Sequence, residues 1–174
     1  MTDSLRVGTI APEQYADAFL SALANPKMLW DTAFRTHIPE KCRHLLYALF
    51  FGSQYGEDIA DLRLAYQSLH PRLCSKYGQS HDPKDFEESV RILEGGFISI
   101  RNGSVSFINP SFRDYLADYL DDLEQLKSFA RSARQADWAR QLWFHGKKIA
   151  GANALSDFAR AFDSVAGEFL RTPT

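Results

Sequence analysis

Between Ile98 and Phe107 apolar and polar residues alternate on both sides of Asn102-Gly103. Four alternating residues on each side of Asn-Gly predict a β-hairpin with a type I′ turn, since both central residues of that turn need positive φ. The register follows: Ile100 opposite Val105, Ser99 opposite Ser106 and Ile98 opposite Phe107. One face is then aliphatic and aromatic, the other serine and arginine. Directly afterwards Asn109 is a favoured N-cap and Pro110 suits the first helical position. Phe112, Tyr115, Leu116, Tyr119 and Leu120 then recur at helical spacing, so a helix starts there.

Upstream the apolar period is helical. Ala11-Pro12-Glu13 opens a helix carrying Tyr15, Phe19, Leu20 and Leu23 that stops near Asn25-Pro26, and a short helix follows with Met28, Leu29, Trp30 and Phe34. Pro39 opens another, whose Cys42, Leu45, Leu46, Leu49 and Phe50 make an apolar face broad enough for burial on several sides. Gly52 and Gly56 bracket a loop, and Ile59, Leu62, Tyr66, Leu69 and Leu73 define the next helix, which Pro71 is expected to break or kink. Asp82-Pro83 gives an N-cap and a first-position proline before Phe86, Val90 and Leu93, and that helix stops at Gly95-Gly96.

From Leu123 the pattern stays helical: Leu126, Phe129, Ala130 and Ala133, then Trp138, Leu142 and Trp143, then Leu155, Phe158, Phe162, Val165 and Phe169. Short helices with short links suit a small bundle or the first units of an α-solenoid, and no clean repeat favours the latter. The expected fold is mainly α. Three helices and a two-stranded β-hairpin in that order form a winged-helix domain at 39–121, between a helical segment at 1–38 and a C-terminal helical bundle at 122–174.

Composition changes this picture little. With 174 residues, 45% of them hydrophobic, the chain can bury a real core. The longest apolar run, Leu45 to Phe51, falls far short of the roughly 20 residues that span a bilayer. Met1-Thr2-Asp3-Ser4 lacks the marks of a secretory signal, so a cytoplasmic location is expected. Cys42 and Cys74 have no CxxC or Cys/His metal spacing and read as core thiols.

Charge argues against a duplex reader. The net charge is −2, and the helix in the recognition position carries Asp82, Asp85, Glu87, Glu88 and Glu94 against only Lys84 and Arg91. Recognition helices need cations where the DNA backbone passes. The wing adds only Arg101. Arg131, Arg134, Arg140, Lys147 and Lys148 lie in the later helices, where a solvated surface explains them best.

No phosphate-binding loop, nucleophile elbow or zinc-protease motif is present, so no enzyme activity is expected of this chain alone. Asp114, Asp118, Asp121 and Asp122 read as a solvated stripe. His44 reads as a hydrogen-bonded core or interface histidine, and His37, His70 and His81 lack metal-like spacing. No metal is expected.

The run Phe107-Ile108-Asn109-Pro110-Ser111-Phe112-Arg113-Asp114-Tyr115-Leu116, preceded by Leu93-Glu94-Gly95-Gly96-Phe97-Ile98, resembles the winged-helix domain of STAND-class (NACHT/AP-ATPase-like) signalling NTPases. Asn25-Pro26-Lys27 with Trp30, and Arg43-His44-Leu45-Leu46, extend the resemblance toward bacterial members, over about Asn25 to Leu120. It implies a lid end before Pro39, a winged helix, and the start of a sensor-side helical region. The nucleotide-binding domain of the same parent chain would be the partner, and ATP or ADP would be held only there. Chemistry in this chain would need no cofactor.

By the same resemblance Asn109, Ser111 and Arg113 would lie near the nucleotide of the parent protein. Many family members carry a histidine where this chain has Asn109, a departure that weakens direct phosphate sensing. Trp138, Trp143, His145, Lys147 and Lys148 are the expected interaction surface of the C-terminal helices. The implied function is a regulatory module that holds or releases a nucleotide-dependent switch through intramolecular contacts, in bacterial antiviral defence. The alternatives are a stand-alone winged-helix DNA-binding regulator and a protein-interaction adaptor using the C-terminal aromatics. Neither reading places the chain at a membrane.

Overall fold

The structure, a computed structural model, describes residues 26–163 and 165–166. The helix expected around Tyr15 to Leu23, and Phe169, lie outside the described residues. The chain divides after His37 into two compact units. In the described part of the first, α1 (Pro26–Thr32) continues into a π-helical stretch, Ala33–His37, that buries Phe34.

The second unit begins with α2 (Glu40–Phe51), then β1 (Glu57–Asp58), α3 (Ile59–Tyr77), α4 (Asp85–Leu93), β2 (Ile98–Arg101) and β3 (Ser104–Phe107). It continues with α5 (Pro110–Tyr119), α6 (Leu123–Ala130), α7 (Ala136–Ile149) and α8 (Ala152–Arg160). The fold is mainly helical with a small antiparallel sheet in the order β1-β3-β2. Among the described residues no helix is long and apolar enough to cross a membrane.

The hairpin has the expected register, with Ile98 opposite Phe107, Ser99 opposite Ser106 and Ile100 opposite Val105. Asn102 and Gly103 take φ of 51° and 80°, the pair of positive values a type I′ turn demands. A Gly103→Ala substitution places a Cβ in that left-handed region. It is expected to cost about 1–2 kcal/mol in a urea denaturation series.

The sheet has three strands where the pattern predicted two. Glu57 pairs with Val105 and Asp58 with Ser104, and the Ile59 amide donates to the Gly103 carbonyl at 2.9 Å. Two acidic residues carry no alternation to read. Their strand exists because β3 offers an open edge to satisfy their backbone groups.

Pro71 neither breaks nor ends α3, which runs through it to Tyr77. The carbonyl deprived of its donor is that of Gln67, an exposed residue, so solvent can supply the missing hydrogen bond. The helix starts at Asp58, whose Oδ1 accepts from the Ala60 amide at 2.8 Å, and stops at a left-handed Gly78. Asn109 caps α5 through Ser111, as the pattern predicted, and Asp122 caps α6 through the Glu124 and Gln125 amides. Because α5 ends at Tyr119, Asp121 and Asp122 leave the stripe expected of them with Asp114 and Asp118.

The core sits around α2, where Cys42 and every residue from His44 to Phe51 are buried. Burying one large side chain of this kind contributes about 1.5–3 kcal/mol, so α2 accounts for a large share of the stability. Its far end meets the C-terminal helices: Tyr47 and Phe51 pack on Phe129 of α6, and Phe51 packs edge-on against Trp138 of α7. The last pair closes around Gly146, where an added Cβ would lie 2.3 Å from the Phe158 ring. Only glycine lets α7 and α8 approach this closely.

Candidate functional site

Polar side chains gather where α2, α3 and α4 meet. Spacing of four residues puts His70 and Cys74 on one face of α3, facing His44 on α2. His44 Nδ1 and His70 Nδ1 are 2.8 Å apart, and Cys74 Sγ lies 3.6 Å from His70 Nδ1 and 3.7 Å from its Nε2. All three residues are buried. Tyr66 stacks on His70 with ring centroids 4.7 Å apart, which fixes the imidazole plane.

Asp85 of α4 closes the group. Its Oδ2 accepts from His70 Nε2 at 3.2 Å and from the Asp82 amide at 2.6 Å, while its Oδ1 accepts from Lys41 Nζ at 2.9 Å. Lys41 also pairs with Glu88. Asp82 Oδ1 in turn accepts from the Lys84 amide at 2.8 Å. The Asp82-Pro83 signal predicts an N-cap and a first helical position, but Pro83 and Lys84 form a turn that the Asp85 amide closes on the Asp82 carbonyl at 3.0 Å, so α4 begins only at Asp85, with Lys84 in the cap position and no side-chain cap.

The hydrogen-bond network assigns the protons. His70 donates Nε2–H to the carboxylate, so its Nδ1 is an acceptor and the proton between the two Nδ1 atoms belongs to His44. Burial first, then the nearby His70 and Arg43, push His44 down to about 3. Burial also lowers His70, with Asp85 opposing. For Asp85 burial alone would raise the pKa, yet the Asp82 amide, Lys41 and His70 together bring it to about 2. Donating hydrogen bonds to Glu88 and Asp85 raises the pKa of Lys41.

The site therefore holds two neutral imidazoles, an ionised carboxylate and a protonated thiol, which burial pushes up. A buried, protonated thiol is a poor nucleophile. The arrangement is suited to holding a ligand rather than attacking one. His70, Cys74 and Asp85, with Glu40, Lys41 and Gln79, line an open cleft of about 540 Å³. His44, His70 and Cys74 are the described residues able to hold a metal ion together.

Sequence spacing alone hid this group, because its members lie 26, 4 and 11 positions apart along the chain (His44 to His70, His70 to Cys74, Cys74 to Asp85). The one local signal was the His70-x-x-x-Cys74 repeat on a helix face.

The residues expected to lie near a nucleotide sit elsewhere. Asn109 is occupied as a cap, accepting from the Ser111 amide at 3.0 Å. Arg113 lays its guanidinium over Phe50, 4.7 Å from the ring centroid, with Nη1 buried and without a hydrogen-bond partner.

The expected interaction residues of α7 point in different directions. Trp138 is 2% exposed and donates Nε1–H to the Ala48 carbonyl at 3.1 Å. Trp143 stacks on Phe158 of α8. His145 Nε2 meets the Leu120 carbonyl at 2.8 Å and packs edge-on against Phe50 and Phe51. Lys147 and Lys148 are exposed at the helix end, where cations complement the dipole. The surface aromatic of this helix is Phe144, 55% exposed.

Burial lowers the pKa of His145, with Lys148 and Arg113 adding to the effect and the Leu120 carbonyl opposing it. The unfolded chain then takes up a proton that the folded chain refuses. Stability from this site is full above the ordinary value of 6.5 and is lost as pH falls below it. Between about pH 7.5 and pH 5, wild type is expected to lose more stability than His145→Gln, measured by urea denaturation at each pH. Equal slopes would remove His145 as the cause.

No family model matches the chain, and no curated protein or solved structure matches it.

Proposed function

We propose that residues 39–121 form a winged-helix module that regulates a STAND-type signalling NTPase by contact with protein. The observation that supports this most is the order helix, strand, helix, helix, strand, strand, with the first strand on the outer edge of the third and an Asn-Gly turn at the wing tip. Sheet and helices in this sequence are the framework of winged-helix domains, and the resemblance of the Phe107–Leu116 run points to the NTPase class. On this reading the module holds the parent protein's nucleotide-binding domain in its resting state.

The charge around α4 favours a protein partner over a duplex. Two cations packed beside it are engaged, Lys41 with Asp85 and Glu88, and Arg63 with Glu87 while lying over the Phe86 ring, which leaves Lys84 and Arg91 among five acidic residues. A duplex approaching this helix would meet more carboxylates than cations and no surplus of positive charge.

The test pairs two measurements on the purified chain. Fluorescence anisotropy with duplex DNA at low salt is expected to show no binding, and pull-down with a nucleotide-binding segment encoded in the same reading frame is expected to show an interaction stronger with ADP than with ATP. Tight duplex binding with a steep salt dependence would replace this reading with that of a DNA-binding regulator. A reading frame without a phosphate-binding loop upstream would also overturn it.

A further inference from the structure

We propose that His44, His70 and Cys74 form a zinc-binding site that joins α2 to α3 and is loaded from the cleft beside α4. This inference is independent of the regulatory reading above. It rests on the convergence of three donors whose ligand atoms all lie within 4.8 Å of one another. Two imidazoles and a thiolate are the donor types that zinc prefers, and three protein ligands leave a fourth position for water.

Two of the three separations are near those the metal needs, and the third, Cys74 to His44, lies within 4.8 Å. Two nitrogens on one tetrahedral zinc stand about 3.3 Å apart, and the two Nδ1 atoms stand at 2.8 Å. A modest separation of the rings converts their hydrogen bond into a shared ligand position. A sulfur and a nitrogen on one zinc stand about 3.6 Å apart, the separation of Cys74 Sγ and His70 Nδ1. The sulfur is almost as far from Nε2, which sets it over the ring, so ligation requires Cys74 to turn about χ1 toward the Nδ1 lone pair.

The surroundings favour ligation over a simple histidine pair. Two buried histidines already account for their shared proton and for Asp85, which accepts the remaining His70 Nε2–H, but they give no role to the thiol beside them. A metal site uses the thiol as well as the carboxylate. His70 presents Nδ1 to the cluster while Asp85 accepts its Nε2–H, and Lys41 and the Asp82 amide hold Asp85 in turn. A carboxylate behind a ligating imidazole fixes its tautomer and raises its basicity. His70 and Cys74 also line the cleft, which gives the ion a way in. On binding, His44 carries its proton on Nε2 instead of Nδ1, and Cys74 releases one proton to solvent.

The test uses the full chain with Zn²⁺ and with Co²⁺ as its spectroscopic substitute. The expected result is one equivalent of zinc bound, a raised melting temperature, and cobalt spectra with tetrahedral d–d bands and a thiolate charge-transfer band. Cys74→Ser removes the charge-transfer band, and Cys42→Ser keeps it, since Cys42 lies outside the cluster. A wild-type spectrum without the thiolate band overturns the proposal, as does a band that survives Cys74→Ser. If Cys74→Ser fails to fold, alkylation of the wild-type chain decides. With free zinc at about 100 times Kd, Cys74 modification should slow on the order of a hundredfold while Cys42 modification does not. Equal protection of both thiols, or of neither, overturns the site.

Discussion

Replacing Asp85 with alanine is expected to lower the unfolding free energy by about 3–4 kcal/mol, most of it from groups left behind rather than from the carboxylate itself. The carboxylate accepts from the buried His70 Nε2, from the Asp82 amide in the turn before α4 and from Lys41. His70 is 4% exposed, so its N–H would be stranded away from water at a cost of about 1–3 kcal/mol. The part-buried Asp82 amide, left without its acceptor, adds about 1 kcal/mol. Lys41 contributes less, because its side chain is 23% exposed and keeps Glu88 as a partner.

Asp85→Asn separates these parts. The amide oxygen can still accept from His70 or from the Asp82 amide, though the charge that draws Lys41 is gone. A loss of about 1–2 kcal/mol is expected. Urea denaturation followed by circular dichroism at pH 7 measures both variants. If Asp85→Ala proves as stable as wild type, the hydrogen-bond network does not hold α4 to α3.

Trp138→Ala is the second large effect, with an expected loss of about 3–5 kcal/mol. Trp138 is almost fully buried, packs against Phe51 and reaches the Ala48 carbonyl, so it fastens α7 to the central helix by surface and by hydrogen bond. Trp138→Phe keeps most of the surface and removes the donor. The Ala48 carbonyl retains the Gly52 amide at 3.0 Å, so this variant should lose only about 1 kcal/mol beyond its change in volume. A Trp138→Ala variant that unfolds in two steps, with α2 to α5 surviving the first, would show the C-terminal helices to be a separate folding unit.

The local elements were legible because their causes are local. The Asn102-Gly103 turn and the Asn109-Pro110 helix start each depend on backbone angles or hydrogen bonds set within a few residues. The strand at Glu57–Asp58 was not legible, because what forms it is the free edge of β3, 46 residues away along the chain from Asp58 to Ser104. Pro71 does not break α3, although it removes one hydrogen bond and crowds the preceding turn; the packing of the helix on both sides outweighs that local cost, and packing is a tertiary property.

The same distinction governs the site residues. Trp138, Trp143 and His145 share a helix, and helical spacing cannot say which of them meets α2, which meets α8 and which meets the end of α5. His44 was readable as a buried, hydrogen-bonded histidine, yet its partner was not, because His70 is far along the chain.

The sequence by itself determined the mainly helical class, the register of the hairpin and the helix boundaries marked by caps, since periodicity and turn chemistry act over a few residues. The tertiary structure decided which polar groups meet in the interior. Packing α2, α3 and α4 brought two histidines, a thiol and a carboxylate to one point, because each buried donor or acceptor must find its partner across helices once water has been excluded.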